Sequence, residues 1–284
     1  MEGIEEKVPM LKEKALEIRK EILKMLNKAG SGHTGGSLSL AELMAVLYFK
    51  YLRVNPSNPE NPDRDRLVLS KGHAAPAIYA ALGLKGFFDK KELDTLRKID
   101  SILQGHPDMT KTPGVEMTTG SLGQGLSAAN GMAISAKLDD RDLKVVAILG
   151  DGEVQEGQIW EAAMTASHYK LDNLVGIVDY NGLQIDGKVE DVKDPAPLAE
   201  KWRAFGWHAM EIDGHDVSEI DSALNMADRE EKRPTMIVAR TVKGKGVSFM
   251  ENNADWHGKG PSDEELEKAL KEIDAAFDVL KEGR

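Results

Sequence analysis

The sequence predicts an α/β fold, a parallel sheet with helices on both faces. Two observations carry this. Strand-like and helix-like runs alternate from about residue 140 to residue 240. The strand-like runs, VVAIL (145–149) above all, are apolar without interruption, so both of their faces need cover. No internal repeat, low-complexity stretch or linker divides the 284 residues. One large domain over residues 1–262 is therefore expected, followed by a charged amphipathic helix or tail over 263–284.

Along the chain, Leu11, Leu16, Ile18, Ile22, Leu23 and Leu26 share one helical face, and Gly30 and Gly32 end that helix. Ser39-Leu-Ala-Glu42 has the spacing of a capping box for a second helix through Phe49. Pro56, Pro59 and Pro62 mark an extended loop, and RLVLS (66–70) reads as a short buried strand. Residues 74–85 and 89–99 are expected to be helical and 101–119 a long loop. A helix rich in small residues is expected from Leu122 to Lys137. The strand KVVAIL, a Gly-Asp-Gly turn and a helix from Gln158 to His168 follow. Next come the strand NLVGIVDY (173–180) and the turn-prone NGLQIDGK. A helix over 197–204, the strand WHAMEI (207–212), a helix over 217–229 and the strand TMIVAR (235–240) complete the pattern.

Composition excludes several classes of function. With 37 Lys plus Arg against 48 Asp plus Glu, the net charge is -11, the wrong sign for nucleic acid or an anionic membrane as main partner. The chain has no cysteine, which rules out thiolate zinc sites, disulfides and a cysteine nucleophile. No apolar signal region opens it and no run approaches a bilayer span, so a cytoplasmic protein is expected.

The chemistry concentrates at GDGEVQEG. It lacks the Lys-Ser/Thr of a phosphate-binding P-loop, and its glycine spacing fails the dinucleotide fingerprint. Asp151 falls just past one strand and Asn181 just past the next, at the edge where open α/β sheets bind ligands. A carboxylate, an amide oxygen and a loop carbonyl are hard ligands of the kind Mg2+ or Ca2+ accepts, and Mg2+ usually adds water and phosphate. Gly150 and Gly152 would let a diphosphate approach the backbone N–H groups at the start of the next helix. Taken singly, Asp151 reads as well as a helix cap, and Asn181-Gly182 as a turn. The joint arrangement is far more specific.

That joint arrangement, GDGEVQEGQIWEAAMTASHYKLDNLVGIVDYN, resembles the GDG-x26–30-N signature of thiamine diphosphate enzymes. SGHTGG (31–36), SKGHA (70–74), QGHPD (104–108), TTGSLGQG (118–125), NGLQIDG (181–187) and IDGHD (212–216) resemble the N-terminal half of transketolases, in that family's order. The resemblance implies the thiamine diphosphate-binding fold over roughly residues 10–260. It implies that Asp151, Asn181 and the backbone oxygen of Leu183 ligate Mg2+ (Ca2+ is the alternative), with Gly150 and Gly152 against the diphosphate. Gly120, Ser121 and Leu122 would approach the aminopyrimidine, Ile185 the thiazolium, and Glu156 both the cofactor and a subunit interface. His33, His73 and His106 would surround the thiazolium and the sugar, with His73 also near the diphosphate. His257 occupies the second position of a family loop whose first histidine is replaced by Ala254; either it takes over that contact or the contact is lost. His168 and His208 read as structural, and His215 as shaping a turn.

The implied reaction is transfer of a two-carbon ketol unit from a ketose phosphate to an aldose phosphate. In this family a second domain binds the aminopyrimidine. That domain has no counterpart in the sequence, so a separate C-terminal subunit is expected, together with self-association to at least a dimer. Two alternatives share part of the pattern. Another thiamine diphosphate enzyme, such as a 2-oxoacid dehydrogenase alpha subunit or a deoxyxylulose-phosphate synthase, would carry GDG…N without the three histidine motifs. A non-catalytic scaffold would keep these residues without using them.

Overall fold

The computed structural model describes residues 4–185 and 187–282, which leaves Asp186 of the NGLQIDG motif and both extreme termini outside the description. Helix α1 (Ile4–Ala29) opens the chain. Its residues Leu11, Ala15, Ile18, Ile22 and Leu26 recur at helical spacing and are buried. Each large apolar side chain so buried contributes roughly 1.5–3 kcal/mol relative to exposure. The helix stops where Gly30 turns left-handed, at φ 63°.

Helices α2 (Thr34–Leu38) and α3 (Ala41–Val46) follow, and α3 runs on into one π turn over Leu47–Tyr51. The expected capping box does not form. Leu40 is the N-cap and no side chain caps α3. Ser39 Oγ instead donates to Asp179 Oδ2 at 2.7 Å, and Glu42 forks onto Arg19 at 2.6 and 2.7 Å. Buried ions left without partners would cost more than an uncapped first turn, so the tertiary partners win. The expected helix over 89–99 is also shorter, a 3-10 segment over Lys90–Thr95. Two left-handed residues, Arg97 and Asp100, close a tight loop after it.

Strands β1 (Arg66–Leu69), β2 (Val145–Gly150) and β3 (Leu174–Tyr180) are joined through α4 (Ala75–Lys85), α5 (Gly125–Leu138) and α6 (Gly157–His168). A two-stranded hairpin follows, β4 (Leu183–Gln184) and β5 (Gly187–Lys188), then α7 (Val189–Lys193) and α8 (Leu198–Ala204). Strand β6 (His208–Asp213), α9 (Val217–Ala227), β7 (Thr235–Arg240) and α10 (Asp263–Glu282) complete the chain. The five-stranded sheet has the order β1-β2-β3-β7-β6, all parallel. One row of side chains, Leu69, Ile148, Ile177, Ile237 and Met210, crosses every strand in register.

That row packs under α1, α3, α4 and α9. The alternate residues Val68, Ala147, Met236 and Ala209 pack under α5, α6 and α8. Both faces are therefore covered, as near-continuous apolar strands require. Helix α10 lies along α1, with Ala269 and Ile273 buried in the same core. Among the described residues no helix is long and apolar enough to cross a membrane.

Because β7 inserts between β3 and β6, the chain enters it from the opposite face to the one on which it left β3. The carboxyl ends of β2, β3 and β7 thus converge on a topological switch point. His215 stitches this edge to the helical layer. Its Nε2 accepts from Val242 N at 2.8 Å, so the ring proton lies on Nδ1 and is donated to Glu42 Oε2 at 2.9 Å. His215→Ala leaves a partly buried N–H and a buried carboxylate each short of a partner. A loss of about 1–3 kcal/mol in urea unfolding, with an unchanged denaturant slope, is expected.

Candidate functional site

The carboxyl edge of the sheet opens into a cleft of about 350 Å³. Gly150 ends β2, and Asp151 turns back into the cleft floor, 3% exposed. Its Oδ1 accepts from Gly152 N at 2.8 Å and its Oδ2 from Gly182 N at 2.6 Å. Asn181 Oδ1 accepts from Leu183 N at 3.1 Å, while its Nδ2 donates to Asp179 Oδ2 at 3.1 Å. The carboxylate, the amide oxygen and the Leu183 carbonyl thus belong to one hydrogen-bonded turn. Burial, then the neighbouring Asp179 charge, pushes the Asp151 carboxyl up to about 6. Such a group gains from a nearby cation.

Gly152 leaves room for more than a ligand. A Cβ there would lie 2.8 Å from Gln184 Oε1, so the open backbone already admits the Gln184 side chain. The loop carrying Gly120 and Leu122 forms the opposite wall, with Ser121 exposed beside it. Gly120 has φ 152°, and a Cβ on it would lie 3.1 Å from His106 Cδ2. Glu156 lies under this loop, since a Cβ on Gly123 would stand 2.9 Å from its own Cβ. Ile185 projects into the cleft mouth, 71% exposed.

Four histidines from widely separated segments meet here. The His33 ring centroid lies 5.2 Å from that of His73, 6.2 Å from His106 and 5.4 Å from His257. His73 and His257 stand 5.3 Å apart. The chain after β7 therefore brings His257 into the cluster although Ala254 replaces the other family histidine. His168, by contrast, ends α6, and His208 lies in β6.

All four are held neutral. Burial lowers His33 to about 4, helped most by the Arg97 charge. Burial and then Lys71 lower His73 to about 2, and burial and then Lys243 lower His257 to about 4. His106 also falls below the usual range through burial and Arg97. At pH 7 each ring thus offers one donor and one acceptor. His33 Nδ1 is buried with no partner.

Several polar residues of this edge were given no role by the sequence, although Lys71 and Glu153 lie inside SKGHA and GDGEVQEG. Lys71, 2% exposed, pairs with Asp179 and donates to Gly36 O at 3.0 Å. Asp179, 0% exposed, also accepts from Ser39 and Thr241. Burial alone would raise this carboxyl, but the Lys71 charge and the donated hydrogen bonds hold it below its ordinary value. Glu153 accepts from Ser70, from Gly123 N at 2.9 Å and from Gly150 N at 3.0 Å, tying β1, the glycine loop and β2 together. Burial raises its carboxyl. Lys243, lowered to about 8 by burial and then by Lys71, donates to Leu183 O at 3.3 Å and to His257 Nδ1 at 2.8 Å. A lysine among 37 cationic residues is singled out only by where the fold puts it.

Residues 11–279 match the family model described as transketolase, thiamine diphosphate binding domain. The chain belongs to the transketolase family. It is 49% identical over 264 residues to the 6-deoxy-6-sulfo-D-fructose transketolase subunit of a Clostridium species, covering 93% of this chain and 96% of that one. To an apulose-4-phosphate transketolase subunit from Phocaeicola vulgatus it is 44% identical over 262 residues, covering 92% and 93%. The crystal structure of Campylobacter jejuni transketolase superposes with a TM-score of 0.88 at 37% identity, over 93% of this chain and 42% of that one. The chain thus spans nearly all of the subunit relatives and about two fifths of the single-chain transketolase.

The transketolase cofactor fits the residues present. Glycine backbone at 120 and 152 gives close approach, and the cleft is lined by unpartnered polar atoms of His33 and Gln184. Among the described residues no cluster of three His, Cys, Asp or Glu could hold a metal. A site built on one carboxylate, one amide and one carbonyl needs none.

Proposed function

We propose that this chain is the diphosphate- and metal-binding subunit of a two-subunit, thiamine diphosphate-dependent transketolase. It would transfer a two-carbon ketol unit from a ketose phosphate to an aldose phosphate, in the cytoplasm and in pentose phosphate metabolism. The observation that carries the reading is one cleft holding both the Asp151–Asn181–Leu183 turn and four neutral histidines. Near-complete coverage of two relatives named as transketolase subunits supports a division of labour between chains.

Thiamine diphosphate, when bound, supplies the nucleophilic carbon and the electron sink for breaking and making the C–C bond. This chain's own residues do the rest on their side. Asp151, Asn181 and the Leu183 carbonyl would hold Mg2+ or Ca2+, and Gly150, Gly152 and His73 the diphosphate. Lys243, now on Leu183 O, supplies a further positive charge at that spot. Gly120, Ser121, Leu122, Ile185 and Glu156 would shape the contacts to the rings. His33, His106 and His257 present neutral imidazoles to the sugar hydroxyls, where they donate, accept and move protons. The separate C-terminal subunit would bind the aminopyrimidine, and two copies of this chain would associate in the assembly.

Mixing the chain with a candidate C-terminal transketolase subunit, thiamine diphosphate and Mg2+ tests this. The chain alone is expected to bind the cofactor in calorimetry and transfer nothing, and the mixture to transfer. Full activity of the chain alone would sink the two-subunit reading. Absence of cofactor binding by the mixture would sink the reading altogether.

A further inference from the structure

Arg97 stands at the rim of the histidine cleft, and no step above uses it. Its backbone is left-handed, at φ 63°, with the N–H on Leu103 O at 2.9 Å. That turn lays the side chain across two glycine loops. A Cβ on Gly105 would lie 3.2 Å from Arg97 Nε and 3.5 Å from its Nη2, and one on Gly32 3.9 Å from its Cζ. The loops that carry His33 and His106 are therefore both shaped around this guanidinium.

Among the described residues only Nη1 is engaged, donating to Ser31 Oγ at 3.2 Å. No carboxylate pairs with Arg97 among the described residues, in a chain that holds 48 acids against 37 bases. Its charge is felt by both neighbouring imidazoles and helps to lower each. An arginine fork fixed over glycines, with its remaining N–H groups free, matches a tetrahedral oxyanion bidentately. A sugar whose reacting end meets His33 and His106 inside the cleft would carry its charged end outward, toward this rim.

We infer that Arg97 binds the phosphate or sulfonate group at the far end of the sugar substrate, so that anion recognition is shared with this subunit. The inference rests on the transketolase reading of the cleft. Arg97 is then a specificity-determining residue and contributes little to a neutral sugar.

The test uses the reconstituted two-subunit enzyme with one ketose phosphate donor held saturating. The acceptors are erythrose 4-phosphate, 4-deoxy-4-sulfoerythrose and erythrose. In Arg97→Met, KM for the phosphorylated acceptor is expected to rise about tenfold or more, with kcat and the KM for erythrose unchanged. Arg97→Lys restores part of the loss, because it keeps the charge without the fork. A matching rise with the sulfonate assigns the site to either oxyanion, and a rise with one alone names the source. Equal changes for charged and neutral acceptors, or no change at all, overturn the inference and leave the transketolase reading standing. A wild-type pair that transfers to none of the three acceptors overturns both.

Discussion

Asp151→Ala is expected to weaken metal-dependent binding of thiamine diphosphate by at least about 100-fold, or about 2.7 kcal/mol. Titration calorimetry with and without Mg2+ reads this directly. Asp151 is the one carboxylate of the proposed ligand set, and without it the protein offers a divalent ion only neutral oxygens. Its two oxygens also fix the turn by accepting from Gly152 and Gly182, so Asp151→Asn would set an amide N–H against a backbone N–H. The asparagine variant should therefore fail almost as badly. Affinity within threefold of the parent chain, in a variant that keeps its far-ultraviolet dichroism, would remove Asp151 from the ligand set.

Lys71→Met is expected to destabilise the fold by about 3–5 kcal/mol, measured as a shift in the urea midpoint. The ammonium and Asp179 are both shut off from water, and the methionine leaves a buried acid without its cation. Asp179→Asn should cost a similar amount, since Lys71 is then the stranded charge. The double variant should cost well under the sum, because each single change already breaks the same pair. Strict additivity would show that the two residues act separately. The pair bridges the start of the SKGHA loop to the end of β3, so its loss also loosens the floor on which His73 and Asn181 stand.

Much of this fold was legible because the decisive signals are local. The apolar runs at 145–149 and 235–239 demand cover on both faces wherever they fall, and the parallel sheet supplies it. The helix boundaries were less legible where partners lay far away in sequence. Ser39 and Glu42 have capping-box spacing, yet each is claimed by a buried group more than twenty residues distant. The sequence predicts helix over residues 89–99, but the chain there bends at Arg97 and Asp100.

By itself, the sequence determined the α/β class, the Gly-Asp-Gly turn at a strand end, and the glycine-flanked loops that hold His33, His73 and His106. Those are properties of neighbouring residues, whose conformation follows from side-chain volume, strand periodicity and the freedom of glycine. Only the tertiary structure decided that His257 joins the other three, that Lys71, Asp179 and Glu153 tie the cleft floor together, and that Arg97 stands at the rim. These depend on strand order and register, which bring segments more than a hundred residues apart to one sheet edge. The free energy that holds them there comes from burying the two apolar faces elsewhere.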